Sequence, residues 1–159
     1  MHIDTNIRPV KPNDMLSLKA IIDANDLFPS DMLDDMMSDY FENKNSSDFW
    51  FTYEDNKPVA MAYCAPERMT EGTWNLYLIA VHPDCQGKGI GTSMLRYIEQ
   101  KLSDRGERIL LVETSSLAGF ERSRNFYRKC GFEKEAQIRE FYQAGEDKIV
   151  FRKPLRDKK

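Results

Sequence analysis

Blocks of apolar residues alternate along the chain between two periods. Ile7 to Val10 is short and reads as a strand, and Lys11-Pro12-Asn13-Asp14 then opens a helix. Asn13 is its candidate N-cap, and Met15, Leu18, Ile21 and Ile22 form its stripe. Pro29-Ser30 restarts the chain, with Ser30 as cap of a second helix striped by Met32, Leu33, Met36, Met37, Tyr40 and Phe41. Asp48 to Tyr53 and Lys57 to Ala65 read as a hairpin turning at Glu54-Asp55-Asn56. Pro66 to Gly72 is a loop, and Thr73 to Val81 is a long apolar strand ended by His82-Pro83. A third helix follows, with Met94, Leu95, Ile98 and Leu102 on one face and Gly106 at the left-handed cap position. Arg108 to Thr114 is the next strand. One intervening helix predicts that it pairs in parallel with Thr73 to Val81 by a right-handed crossover. After the Ser115 to Gly119 loop, Phe120 to Cys130 is the last helix, closed by Gly131. Glu135 to Tyr142 and Lys148 to Lys153 make a final hairpin around Ala144-Gly145-Glu146-Asp147. The fold class is α/β (α+β), with a central mixed sheet flanked by helices and too little strand–helix alternation for a doubly wound sheet.

The stretch between the long strand and the third helix carries the chemistry: Gln86-Gly87-Lys88-Gly89-Ile90-Gly91-Thr92. The first N–H groups of a helix lack internal partners, and with the helix dipole they attract phosphate. Glycines at 87, 89 and 91 remove side chains that would hold a bulky anion off the backbone. The loop therefore reads as a phosphate or pyrophosphate cradle. It lacks the Gly-Lys-Ser/Thr ending of a nucleotide-triphosphate loop. The dinucleotide fingerprint fails as well, because its third glycine falls on Thr92 or Met94. Only Glu113, roughly 20 residues on, keeps that reading in view.

Gln86-x-x-Gly89-x-Gly91 resembles the acyl-CoA pyrophosphate motif of the GNAT (Gcn5-related N-acetyltransferase) superfamily. The later block Ser123-Arg124-Asn125-Phe126-Tyr127-Arg128-Lys129-Cys130-Gly131-Phe132 resembles that family's Phe-Tyr-x-x-x-Gly-Phe signature. The two blocks stand in the family's order and separation, and the resemblance runs from Ile7-Arg8-Pro9 to about Lys153. It implies one GNAT domain over residues 1–159, with the acyl-CoA held between two splayed parallel strands. It also implies acetyl-CoA as co-substrate and direct transfer of its acetyl group to a primary amine in a ternary complex, without a metal. Homodimers are common in the family.

By this resemblance residues 86 to 92 hold the pyrophosphate, and the backbone of Ile79, Ala80 and Val81 pairs with the amide-rich pantetheine arm. Many relatives carry an asparagine early in the last helix; Glu121 stands near that place here, and Asn125 is the substitute. Tyr127 matches the tyrosine that protonates the departing thiolate, and a phenol of ordinary pKa about 10 suits that work. Taken without the resemblance, Tyr127 is a core aromatic beside Phe126. The acceptor ammonium must lose a proton before attack. Glu113, at the end of a parallel strand, is the candidate base, with Glu71 and His82 as alternatives and loop capping beside Thr114, Ser115 and Ser116 as its structural reading.

Composition narrows the class. With 41% hydrophobic and 31% charged residues the chain is that of a soluble globular protein. A net charge of −3 gives nucleic acid no electrostatic support. The basic tail from Lys153 to Lys159 reads as a solvated end. Cys64, Cys85 and Cys130 lack metal-ligand spacing, and with only His2 and His82 a metal site is not expected. Reduced cysteines, no signal peptide and no long apolar run point to a cytoplasmic protein away from membranes. The acceptor is not readable. Trp74, Tyr77, the Met-rich second helix and Tyr142 would line a partly apolar pocket, and acidic residues nearby suit a cationic amine, which favours a small amine or amino-acid-like molecule. A peptide or protein amine, and a non-catalytic acyl-CoA-binding or sensing module, are the alternatives.

Overall fold

In the computed structural model, residues 5–155 are described. The strands are β1 (Ile7–Pro9), β2 (Phe49–Asp55), β3 (Lys57–Pro66), β4 (Thr73–Val81), β5 (Ile109–Ser115), β6 (Glu133–Gln143) and β7 (Glu146–Pro154). The helices are α1 (Met15–Ala24), α2 (Leu33–Glu42), α3 (Ile90–Asp104) and α4 (Glu121–Lys129). The strands form one mixed seven-stranded sheet in the order β1-β2-β3-β4-β5-β7-β6. Every predicted element is present; the long strand Thr73–Val81 has the predicted ends, and the other strands and the last helix differ by no more than two residues at an end. Backbone contacts group the chain into two compact units.

The first unit comprises Met1–Ala65 and Tyr77–Lys101. Here β1, β2 and β3 form an antiparallel meander, and the β2–β3 turn takes Asn56 into the left-handed region at φ 67°. Alternation along β2 separates two apolar sets. Trp50 packs with Leu18, Ile21 and Ile22 of α1, Leu33 and Met37 of α2, and Met61 and Ala80 of the sheet. Phe51, next along the strand, meets Tyr97 of α3 edge-on at 5.1 Å. Met36, Tyr40 and Phe41 pack on the Trp50 cluster, so the methionine-rich stripe of α2 is mainly core. Met32, at the start of the stripe, is half-exposed. Tyr77 of β4 stacks on Tyr63, yet Leu78, the following residue, packs on the same Trp50 cluster as Tyr63. Two consecutive residues facing one side break the strand alternation there.

The helix starts differ from the sequence expectation. Asn13 does not cap α1. The chain enters through a 3-10 turn at Pro12–Asp14, where the Lys11 N–H donates to Asp14 Oδ2 at 2.7 Å. Arg8 holds the same buried carboxylate bidentately, Nη1 to Oδ2 at 2.8 Å and Nη2 to Oδ1 at 3.0 Å. The carboxylate that satisfies this turn therefore lies one residue later than Asn13. Ser30 likewise sits in a 3-10 turn, Ser30–Met32, without a side-chain cap bond.

The second unit comprises Pro66–Leu76 and Leu102–Lys159. Thr73–Leu76 pairs in parallel with Ile109–Val112, and β5 pairs antiparallel with β7, which pairs with β6. Tyr127 of α4 packs on Phe151 and Phe132, with Arg128 above the Phe151 ring. Gly131 closes α4 at φ 94°, as expected of a left-handed cap. β6 is exposed along its whole length. The tail beyond Leu155, and His2, lie outside the described residues.

Candidate active site

In the first unit, β4 ends in a tightly built corner. The Val81 carbonyl accepts from Asn25 Nδ2 at 3.0 Å and from Gln86 Nε2 at 3.0 Å. Gln86 Nε2 also reaches Asn25 Oδ1 at 3.2 Å. Gln86 thus braces the loop against the strand end with its side chain. Both lone pairs of the Val81 oxygen are committed, so of the three predicted pantetheine-pairing residues the Val81 carbonyl is already in use. His82 Nδ1 accepts from the Asp84 N–H at 3.1 Å and the His82 carbonyl accepts from Cys85 N–H at 2.8 Å. His82 is therefore a turn-forming residue. Asn25, at the end of α1, is a contributor that sequence reading missed, because a terminal asparagine reads as an ordinary helix cap.

Beyond Gln86 the chain turns through Gly87 at φ 80° and Gly89 at φ 82°, the left-handed region open to glycine. Lys88 is exposed between them. The Ser93 N–H makes the first helical bond, to the Gly89 carbonyl at 3.0 Å. The N–H groups of Ile90, Gly91 and Thr92 have no partner among the described residues. Three free donors on a fifteen-residue helix, preceded by exposed glycines, form an anion cradle that fits a pyrophosphate.

In the second unit, the register of β5 and β7 separates the two candidate proton-transfer residues. Glu113 faces Val150, whereas Phe151, on which Tyr127 packs, is opposite Val112 on the other face. Tyr127 is buried, ringed by Phe126, Phe132 and Phe151, and burial pushes its phenol well above the usual value. It stays protonated throughout the neutral range and can serve only as a donor of its proton there. Glu113 is not isolated. Its Oε1 pairs with Lys148 Nζ at 3.1 Å and its Oε2 accepts from Asn75 Nδ2 at 3.0 Å. The Asn75 amide also donates to Glu67 Oε2 at 2.7 Å. Glu71 is exposed and contributes its backbone carbonyl to Arg108 Nε at 2.6 Å. The carboxylate of that loop drawn towards Glu113 is thus Glu67, four positions earlier. Asn125 lines an open pocket of about 580 Å³ on α4 with Glu121, Arg122 and Lys129, and its Oδ1 accepts from Arg128 Nη1 at 3.2 Å. Among the expected acceptor-site residues, Trp74 is buried under Arg105, Tyr77 is half-exposed and Tyr142 is 44% exposed.

No group of three metal-ligating side chains occurs among the described residues, and no helix there is long and apolar enough to cross a membrane.

The fold is a mixed seven-stranded sheet with helices, in which the parallel strands β4 and β5 are joined through α3. The chain belongs to the acetyltransferase (GNAT) family, whose family model matches residues 18–132. A GNAT-family protein from Desulfovibrio desulfuricans is 30% identical, with TM-score 0.87 over 94% of this chain and 98% of its own. An aminoglycoside 6'-N-acetyltransferase solved with coenzyme A shares the fold at 17% identity, TM-score 0.77, over 96% of this chain and 98% of its own. An uncharacterized N-acetyltransferase of Methanocaldococcus jannaschii is 28% identical over 85 residues, which is 52% of this chain and 52% of that relative. The match thus spans about half the length of this curated relative.

Proposed function

We propose that the protein transfers the acetyl group of acetyl-CoA to a primary amine of a small cationic molecule in the cytoplasm. The observation that carries this reading is the cradle of residues 86–92, where three helix N–H groups and two left-handed glycines are open to an anion. Bound acetyl-CoA supplies an activated thioester. Residues 87–92 take its pyrophosphate, with Gln86 bracing the loop, and the backbone of Ile79 and Ala80 meets the pantetheine amides. Glu113 accepts a proton from the acceptor ammonium, directly or through water. The freed amine forms the new C–N bond as the C–S bond breaks, and Tyr127 gives its proton to the departing sulfur. As the amide forms, its nitrogen sheds a second proton, which restores the Tyr127 phenol through solvent, so the proton left on Glu113 is the one released per turnover. Glu113 and the Phe151 ring on which Tyr127 packs belong to opposite faces of the sheet, which supports separate proton partners for nucleophile and leaving group.

The cationic acceptor is supported by charge and by ring exposure. Between residues 31 and 48 stand Asp31, Asp34, Asp35, Asp39, Glu42 and Asp48 against the single Lys44. Trp50, Tyr63 and Tyr77 stack across three strands, at 4.2 Å and 5.4 Å between centroids, and end in a half-exposed ring that suits a cation. Free Cys64 and Cys85 agree with a reducing compartment.

The test is CoA release from acetyl-CoA across a panel of amines, for wild type and Tyr127→Phe. Release with cationic small amines, reduced about 10²-fold in kcat in the variant, is the expected result. Acetyl-CoA binding without release to any small or peptide amine would leave a binding module and overturn the proposal.

A further inference from the structure

Asn75 of β4 is 1% exposed and carries a polar side chain in a mainly apolar strand. Its amide is used in an unusual way. One Nδ2 donates to two carboxylates that are distant in sequence, Glu67 Oε2 at 2.7 Å and Glu113 Oε2 at 3.0 Å. Both N–H bonds of the group are thereby spent. Its Oδ1 is buried and has no partner among the described residues. A buried unpaired carbonyl is costly, so the residue is held there for its donors. Turning the amide over would set Oδ1 against two carboxylates, which fixes its orientation.

The surrounding groups extend the same device. Glu67 is fixed by its own backbone, whose N–H donates to the Thr73 carbonyl at 2.8 Å, while Thr70 Oγ1 donates to its carbonyl at 2.9 Å. Glu113 receives Lys148 Nζ at 3.1 Å on its other oxygen, and that ammonium lies 3.9 Å from the Phe141 ring centroid. The carboxylate of Glu113 is thus gripped at one oxygen by β7 and at the other by β4, and Glu67 grips the residue that does the latter.

We infer that Asn75 is a positioning residue that aims Glu113 at the acceptor amine, and that Glu67 acts by locking the Asn75 amide. This rests on the reading of Glu113 as the base. Neither residue touches substrate; both act through Glu113. Asn75→Leu removes the donors at similar volume and also removes the unpaired Oδ1. Glu67→Gln keeps an oxygen for Asn75 to donate to, whereas Glu67→Ala does not.

The experiment is steady-state acetyl transfer to the best amine of the panel, with kcat and both KM values for each variant, and thermal melts as the folding control. Asn75→Leu lowers kcat about 10- to 100-fold, part of what general-base catalysis provides, with acetyl-CoA KM unchanged. Glu67→Ala follows it at smaller size, and Glu67→Gln stays within about threefold of wild type. In a Glu113→Gln background, Asn75→Leu has no further effect on kcat, as expected of residues acting as one unit. Full additivity in that background, or an Asn75→Leu enzyme with wild-type kcat, overturns the inference while leaving the enzyme assignment intact. A fully active Glu113→Gln enzyme overturns the base and this inference together. A wild type that transfers to no amine overturns the proposed function itself.

Discussion

Gly89→Asp is the perturbation that isolates the anion cradle. Gly89 sits at φ 82°, and a Cβ built there meets nothing within 4 Å. A side chain at this position therefore brings backbone strain but no clash. The strain is roughly 1–2 kcal/mol for a left-handed non-glycine residue. It is present with and without ligand, so it lowers Tm by about 2–8 °C and leaves binding largely alone. The new carboxylate is different, because it lies beside the three free N–H groups of residues 90–92. At about 5 Å from a phosphate, one charge pair repels by ~1 kcal/mol in bulk water and by ~3 kcal/mol at an effective dielectric of 20. For the two charges of a pyrophosphate on an exposed loop the loss is about 2–4 kcal/mol, or roughly 30- to 1000-fold in Kd. Gly89→Ala carries the strain without the charge and separates the two effects. Calorimetric titration with CoA should give Ala within about threefold of wild type and Asp at or beyond about 30-fold weaker. Equal weakening by both substitutions would mean that loop shape, and not an anion site, governs binding. Undiminished binding by Gly89→Asp would remove the cradle altogether.

Other consequences are open to direct measurement. Asn25→Ala cuts the brace between α1, Val81 and Gln86; CoA affinity should fall about 3- to 10-fold, the worth of one or two hydrogen bonds, and an unchanged Kd would show that the brace is idle. Asp14→Ala leaves Arg8 and the Lys11 N–H without their partner and should cost about 3 kcal/mol in urea unfolding. The Arg8 guanidinium above all, helped by the Lys11 N–H, holds the Asp14 carboxyl below its usual value. Its contribution is complete above the unfolded value near pH 4 and is lost as pH falls through the lower native value. The acid limb of the stability profile should flatten in Asp14→Ala, and an identical limb would contradict this. Burial pushes the Cys64 thiol up to about 12, so iodoacetamide at pH 8 should label Cys85 and Cys130 of the native protein before Cys64, as read by peptide mass spectrometry.

What the sequence disclosed follows from the range of the interactions involved. β4 and the glycine loop are legible because an apolar run, a proline and spaced glycines are local signals with direct backbone meaning. The hairpin turn at Asn56 is legible for the same reason. The caps at Asn13 and Ser30 were misplaced by a residue or more because Asp14 is fixed by Arg8, and a 3-10 turn has no signature that separates it from a helix start. The choice between Glu67 and Glu71 was beyond local reasoning. Both lie in one loop, and only the side chain of Asn75, on the next strand, separates them. Asn75 itself carries no motif; its importance arises from residues eight and thirty-eight positions away. Tyr127 was assigned by resemblance; its burial among three aromatic rings makes it a core residue, and its role as proton donor is a proposal compatible with that packing.

The exposure of β6 has a consequence unrelated to chemistry. A strand at the border of a sheet is a template on which another chain can add, and one of this length would ordinarily invite aggregation. Glu133, Lys134, Glu135, Arg139 and Glu140 place charges along it, and the register breaks between Ile138 and Gln143, where Glu140 turns to φ 55°. A foreign strand would have to bury those charges and follow that kink. The border is thereby closed to growth without being covered, and the chain can be abundant in a crowded solution without seeding fibrils through its own sheet.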